Sequence, residues 1–311
     1  MKILVMGAGA LGGYFGARLF EAGHEVGFVA RGAHLEAIRK NGLSVRSPRG
    51  DMHVTNAWVS DQPEDFGQAD VVLFMVKNRD VEDAARAILP VLKADSFVVT
   101  CQNGVSAPER LGQIIGSAHV LPGVARTPGF VAEPGVIQHT ADTDLFGFGE
   151  LQGGPSLRGA LLRDAFVAAG VQASVTSNMR ADLWRKMATQ ATLASMTALT
   201  RLDIGPLLET PETEALFLAA VRETEHVAIA EVPEMQPGFA EHGLNILRGF
   251  SRYMHASMLD DLEAGKPIEV DYLSGDVVRF GRKHGIDTPL HAMFTAALWP
   301  YRDGRPDTTY G

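Results

Sequence analysis

Lys2-Ile3-Leu4-Val5-Met6-Gly7-Ala8-Gly9-Ala10-Leu11-Gly12 decides the fold. An apolar strand runs straight into G-x-G-x-x-G. The first glycine permits a tight turn, the second lets a pyrophosphate approach the main chain, and the third lets the next helix pack close to the strand. That helix offers unpaired N–H groups and a positive dipole end to the phosphates. The glycine pattern alone is common. Here a strand precedes it, a helical stretch over Tyr14–Ala22 follows, and Gly23 serves as a helix stop. A dinucleotide site is therefore expected at Gly7, Gly9, Ala10, Leu11 and Gly12.

A second strand, Glu25–Val29, leads into Ala30-Arg31-Gly32. NAD sites usually carry an acid at this place for the ribose 2′-hydroxyl. A carboxylate would repel a 2′-phosphate, whereas a guanidinium pairs with it. Arg31 thus predicts NADP(H) over NAD(H); the bland alternative is a solvated loop arginine.

Outward from this start, strand and helix signals alternate. Further strands read at Val71–Val76, Phe97–Thr100 and His119–Leu121, and helices at Leu11–Ala22, Ala33–Asn41, Val81–Leu92 and Ala107–Ile115. Ser44–Ser47 and Met52–Thr55 flank Pro48-Arg49-Gly50 as a hairpin, and Gly135–His139 with Leu145–Gly149 suggest another. Such alternation means a mainly parallel, doubly wound sheet. Near residue 176 the character changes, and the rest reads as helical. Ser177 or Asn178 would cap a helix reaching about Leu199. Others fit Thr213–Glu231, Pro237–Ala264 with a break near Gly249, Pro267 to Gly285, and from Pro289 onward. The polar tail Asp303–Gly311 is expected to fray. The expected architecture is α/β: a Rossmann-type doubly wound sheet over residues 1–176, then an all-α domain over 177–311. A helical domain over the carboxyl edge of the sheet would make a cleft for ligands.

Composition excludes several functions. The chain has 311 residues, 46% hydrophobic and 21% charged, as in ordinary soluble proteins. Its formal net charge of −9 argues against nucleic acid and against anionic membranes. One cysteine, Cys101, allows no internal disulfide and no cysteine-based metal site. The ten histidines show no metal-ligand spacing, so no metal is expected. With strand one at the N-terminus no signal peptide is expected, and no apolar run is long enough to span a bilayer. Cytoplasmic residence is the default. Apolar helices in the second half would support a homodimer, or equally form the core.

Four clusters carry candidate chemistry. Val76-Lys77-Asn78 and Cys101-Gln102-Asn103-Gly104 end successive strands, where cofactor-contacting loops lie. An asparagine there offers its amide to a nicotinamide or a substrate. Leu183-Trp184-Arg185-Lys186-Met187 puts a lysine on an apolar helix, where a snorkelling side chain is the simple reading. Ser257-Met258 precedes Pro267-Ile268-Glu269-Val270-Asp271, and Glu269 would sit in a helix first turn, complementing its dipole.

Together these clusters resemble the ketopantoate reductase (2-dehydropantoate 2-reductase) family along essentially the whole chain. The likeness rests on G-A-G-A-L-G, Arg31, Lys77, Q-N-G at Gln102–Gly104, L-W-R-K at Leu183–Lys186, S-M-L-x-D at Ser257–Asp261, and I-E-x-D-Y at Ile268–Tyr272, followed by H-G-I. The resemblance implies NADPH-dependent reduction of a 2-oxo acid, with 2-dehydropantoate (ketopantoate) converted to pantoate in pantothenate biosynthesis. It makes Lys186 the general acid and Glu269 its partner. Arg31, Lys77, Asn103 and Ala125 would join the glycine loop in holding the cofactor. Asn103, Lys186, Gln190 and Ser257 would contact the substrate. An ammonium within reach of a ketone oxygen can stabilise and protonate the alkoxide that hydride delivery creates.

The chain departs from the family on one helix face. Asparagines usual one and two turns after the lysine are Gln190 and Ala194, and another, before Gly205, is Ile204. Alanine and isoleucine cannot hydrogen-bond a substrate hydroxyl, which shifts the expected substrate toward a more apolar 2-oxo acid. A β-hydroxyacid dehydrogenase is a second enzyme reading. A non-catalytic NADP(H)-binding sensor is a reading of another class, against which Lys186 and Glu269 weigh.

Overall fold

The structure, a computed structural model, describes residues 1–306. Residues 307–311 of the tail expected to fray lie outside the described residues. The chain divides into two compact units: residues 1–102 with 107–179, and residues 103–106 with 180–311.

The first unit holds twelve strands: β1 (Lys2–Met6), β2 (Glu25–Val29), β3 (Leu43–Arg46), β4 (Met52–Val54), β5 (Trp58–Ser60), β6 (Ala69–Phe74), β7 (Leu92–Thr100), β8 (Val120–Arg126), β9 (Gly129–Glu133), β10 (Val136–His139), β11 (Leu145–Phe148) and β12 (Ala173–Val175). Its helices are α1 (Ala10–Glu21), α2 (Gly32–Asn41), α3 (Val81–Ile88), α4 (Ala107–Ile115) and α5 (Leu157–Ala168). The main sheet runs β12-β11-β8-β7-β6-β1-β2-β5. Every neighbouring pair in it is parallel except β8 with β11. From β1 the chain winds outward through β2 and β5, then returns to β6 on the other flank of β1. The strand order therefore reverses between β1 and β6, where such sheets bind ligands.

Both faces of this sheet are buried, and strand alternation decides which residue faces which helix. Ile3, Val5, Val71 and Leu73 pack with Phe15 of α1 and Phe166 of α5. Leu4, Met6, Val72 and Phe74 pack with Val81 and Ile88 of α3 and Leu111 of α4. Phe15 stacks on Phe146 with centroids 4.7 Å apart, and Phe166 meets both rings edge-on. Each such ring contributes about 1.5–3 kcal/mol by leaving water.

A second sheet, β4-β3-β10-β9, covers α1. The β3–β4 hairpin forms as expected. The second expected hairpin does not. Both of its segments are strands, but β10 pairs with β9 and β3, while β11 pairs with β8 and β12. Alternating apolar residues looked like two arms of one ribbon. In fact β9, exposed along its whole length, supplies the partner of β10. The intervening turn delivers Asp144 into the interior, where it is wholly buried. Tyr14 Oη donates to Asp144 Oδ2 at 2.8 Å, the Gln172 N–H donates to Oδ1, and Arg49 pairs with the same carboxylate at 3.1 Å. Burial, and then the bond to Asp144, raise the pKa of the Tyr14 hydroxyl. β5, β9, β12 and α5 lie outside the expected elements.

The second unit is helical: α6 (Met179–Thr200), α7 (Ile204–Glu209), α8 (Pro211–Glu231), α9 (Phe239–Arg248), α10 (Ser257–Glu263), α11 (Ser274–His284) and α12 (Pro289–Leu298). Two carboxylates of α8 terminate other helices by taking N–H groups that lack partners in a first turn. Glu225 accepts from Gly238 and Ala240 at the start of α9, and Glu223 from Leu290 and His291 at the start of α12. His291 is fully buried, with its pKa lowered to about 4 by desolvation. Ser274 Oγ lies 3.0 Å from its Nδ1 and 2.7 Å from Ser195 Oγ of α6.

The helix expected from Pro267 begins later, at Ser274. A short 3₁₀ turn, Val270–Tyr272, comes first, and Leu273 leaves helical geometry at φ −108°, ψ −98°. The reason is burial. Ile268, Val270 and Leu273 all enter the core, and their spacing needs an irregular path rather than a helical stripe. Glu269 consequently precedes a 3₁₀ turn and is not in the first turn of an α-helix.

Among the described residues no helix is long and apolar enough to cross a membrane. Among them, no three His, Cys, Asp or Glu side chains are grouped to hold a metal.

Candidate active site

In the first unit the site grows from the glycine loop at the carboxyl end of β1. Gly7 adopts φ +102°, and a Cβ there would stand 3.1 Å from the main chain of Met75, just past β6. The Met75 N–H donates to the Met6 carbonyl, so the two strand ends travel together. Gly12 is closer still: its Cβ would lie 2.1 Å from the Gly7 carbonyl oxygen. Gly9 differs, because nothing lies within 4 Å of the Cβ it lacks. Protein packing explains Gly7 and Gly12 but leaves Gly9 unexplained. Gly9 caps α1 with no side-chain bond, and the Gly13 N–H closes onto its carbonyl at 2.7 Å. The N–H groups of Ala10, Leu11 and Gly12 thus precede the helical ladder. Open space over a bare helix N-terminus is what a pyrophosphate requires.

A cavity of about 210 Å³ opens there, with Gly7, Ala8, Gly9, Arg31, His34 and Asp80 among its lining residues. Arg31 is exposed, in extended geometry at the start of α2. Among the described residues no hydrogen bond or ion pair holds its guanidinium. Asp80, the acid of this lining, pairs with Arg79 at 3.8 Å. Lys77 follows β6 and precedes a 3₁₀ turn, Asn78–Asp80. Gln102 ties this region to the end of β7, its Nε2 donating to the carbonyls of Phe74 and Val76 at 2.8 and 3.1 Å. Ala125 lies within β8 opposite Phe146, with its side chain in the core.

The other expected residues, Asn103, Lys186, Gln190, Ser257 and Glu269, belong to the second unit. Trp184, Met187, Ala188 and Ala191 are buried, which fixes the rotation of α6 about its axis. Trp184 meets Phe280 edge-on at 5.3 Å. Lys186 and Gln190, one turn apart, are left half-buried at the border of that core. Ala194, the next turn on, is fully buried, and Ile204 is 2% exposed at the start of α7. Glu269 is half-buried, and Ser257 is exposed as the first residue of α10.

Asn103 belongs by its contacts to this unit, although it follows a strand of the other. The reason is Gly104 at φ +93°, whose missing Cβ would stand 2.4 Å from the Tyr272 carbonyl oxygen. Only glycine permits so close an approach.

Sequence reasoning did not single out His34 or His255, and it named Gln102 only within the Q-N-G stretch, with no role of its own. His255 bridges Asp203, before α7, and Asp260 in α10, at 2.7 and 2.9 Å. Desolvation opposes its charge, but bonds to Asp260 and Asp203 prevail and raise its pKa. It steadies the segment that ends in Ser257. No short-range motif signals such partners.

Comparison with known proteins shows the family. The family model for ketopantoate reductase PanE/ApbA matches residues 3–153, and its C-terminal model matches residues 178–301. The chain belongs to the ketopantoate reductase family. It is an oxidoreductase acting on CH–OH groups. A 2-dehydropantoate 2-reductase of Mesorhizobium japonicum is 32% identical, over 93% of this chain and 94% of the relative. A ketopantoate reductase family crystal structure from Ralstonia eutropha JMP134 is 31% identical, with a TM-score of 0.89 over 97% of this chain and 98% of the other. A D-mandelate dehydrogenase solved with NADH and anilino(oxo)acetate shares the fold at a TM-score of 0.89 and 22% identity, covering 97% and 98% of the two chains.

Proposed function

We propose that this ketopantoate reductase family member reduces a 2-oxo acid to a 2-hydroxy acid with NADPH, with 2-dehydropantoate first among its substrates. The observation that carries the reading is the open space over Gly9, beside the uncommitted guanidinium of Arg31. The glycine loop and first turn of α1 fit a pyrophosphate, and Arg31 fits a 2′-phosphate. Lys77, Asn103 and the main chain at Ala125 complete the cofactor set in this reading. In this reading residues 1–176 serve the nucleotide and residues 177–311 the substrate, with Asn103 contacting both.

When bound, the cofactor supplies a hydride to the carbonyl carbon. The chain's own task is then to manage the oxygen. Lys186 carries a proton on Nζ, meets the growing negative charge and gives the proton to the carbonyl oxygen, leaving a hydroxyl. Glu269 orients the ammonium and favours its charged form. Ser257, Gln190 and Asn103 hold the substrate by hydrogen bonds. The same reading places the enzyme in pantothenate biosynthesis in the cytoplasm.

A second substrate reading has its own observation. Ala194 and Ile204, on the expected substrate face, are buried and apolar. Neither side chain can hydrogen-bond the hydroxyl of pantoate, which favours a 2-oxo acid without it.

Arg31→Ala tests the cofactor assignment. Losing a charge-assisted pairing should raise KM for NADPH about 10- to 100-fold and leave KM for NADH nearly unchanged. Steady-state kinetics with both cofactors read the ratio. Equal effects on the two would remove the 2′-phosphate from the account.

A further inference from the structure

His34 lies in the first turn of α2 and lines the glycine cavity. Both ring nitrogens are engaged by main chain. The Gly135 N–H donates to Nδ1 at 2.9 Å, and Nε2 lies 2.8 Å from the Ala8 carbonyl oxygen. A carbonyl only accepts, so Nε2 must carry the proton, and Nδ1, as acceptor, must not. The ring is thereby fixed as one neutral tautomer. The donor that fixes it is itself held: Gly135 stands in the β9–β10 turn at φ +81°, its carbonyl accepts from Ser44 at 2.9 Å, and its α-carbon packs against Ala37 of α2.

The consequence falls on the glycine loop. The Ala8 N–H donates to the Val29 carbonyl at 2.9 Å, so the Ala8 residue is pinned through both its N–H and its carbonyl. A trans peptide is planar, and its C=O and N–H point in opposite directions. Holding the Ala8 carbonyl toward His34 therefore aims the Gly9 N–H away from His34. With both nitrogens occupied, His34 has no donor left for a phosphate; its role is to orient. We propose that His34 is a positioning residue for the dinucleotide, held as the Nε2–H tautomer by Gly135 and setting the direction of the Gly9 N–H through Ala8. The inference rests on the reading of this cavity as a nicotinamide dinucleotide site.

Three variants and one spectrum test it. NADPH fluorescence titration should show His34→Ala binding about tenfold more weakly, with kcat at saturating NADPH close to wild type. In His34→Gln the amide Nε2 can still donate to the Ala8 carbonyl, and affinity should stay near wild type. In His34→Asn the shorter amide keeps the Gly135 bond and loses Ala8, and affinity should fall as in His34→Ala. A purely structural histidine would lower Tm in all three and leave the dissociation constants together. Long-range proton–nitrogen spectra of the wild-type imidazoles, assigned by the signal lost in His34→Gln, should show the Nε2–H tautomer with and without NADP⁺. An Nδ1–H tautomer, or equal NADPH affinity in His34→Ala and wild type, would overturn the inference alone. A wild-type protein that binds no dinucleotide would overturn the reading of the cavity and the inference with it.

Discussion

Lys186→Ala lowers kcat by about 10²–10⁴-fold, the range for loss of a general acid, and leaves NADPH binding unchanged. The expectation separates two sets of residues that lie in different units. Lys186 stands on α6 of the second unit, whereas the glycine loop, Arg31 and Lys77 belong to the first. The variant should fold. Alanine is the best helix former, and the buried neighbours Trp184, Met187 and Ala188 keep α6 in place. Lys186→Arg refines the test. A guanidinium preserves positive charge near the oxygen but does not release its proton at ordinary pH. It should recover part of the electrostatic stabilisation and little of the proton transfer, so kcat stays well below wild type. Near-normal turnover of Lys186→Ala would remove the lysine from the chemistry.

The second large effect comes from the glycines of the loop, which have different reasons to be glycine. In Gly12→Ala the new Cβ would meet the Gly7 carbonyl oxygen at 2.1 Å and Val5 Cγ1 at 2.9 Å. Gly7 cannot retreat, because its own α-carbon already abuts the Met75 main chain. The start of α1 must move off β1, at about 1–3 kcal/mol or more in stability, and the phosphate cradle moves with it. Gly9→Ala meets nothing within 4 Å, and its φ of −70° suits any residue. Stability should stay within about 0.5 kcal/mol, while NADPH affinity falls at least about tenfold because the methyl occupies the pyrophosphate's approach. Thermal melts beside fluorescence titrations separate the two. A Gly9→Ala protein that binds NADPH like wild type would place the pyrophosphate elsewhere.

Much of the first unit was legible because its cause is local. β1, β2 and α4 match their sequence patterns residue for residue, and α1 and α2 within a residue or so, since period and punctuation agree. What the sequence hid depends on partners far along the chain. The Val136–His139 and Leu145–Phe148 strands carry the same alternation whether they pair with each other or with separate sheets. Only the unpatterned, exposed β9 and the buried Asp144 pair decide between these. Pro267 looked like a helix start, but burial of Ile268, Val270 and Leu273 delayed α11. In the candidate site, the roles proposed for Gly9 and Arg31 rest on local sequence, the glycine motif for one and the end of β2 for the other. The role proposed for His34 does not, because it lies in the Ala8 carbonyl and the Gly135 N–H, one of which is a hundred residues away along the chain. The assignment of Asn103 to the helical unit likewise depends on the tight approach of Gly104 to Tyr272.

The most direct test is the fall of NADPH absorbance with 2-dehydropantoate beside a panel of other 2-oxo acids, including 2-oxoisovalerate and benzoylformate. The account predicts NADPH-dependent turnover of at least one 2-oxo acid, lost in Lys186→Ala. Fast turnover of 2-dehydropantoate would show that Gln190 supplies the recognition that Ala194 and Ile204 cannot. Faster turnover of an apolar member would keep the mechanism and replace the substrate. Silence across the panel, with NADPH still bound, would contradict the account and leave a nucleotide-binding protein without this chemistry.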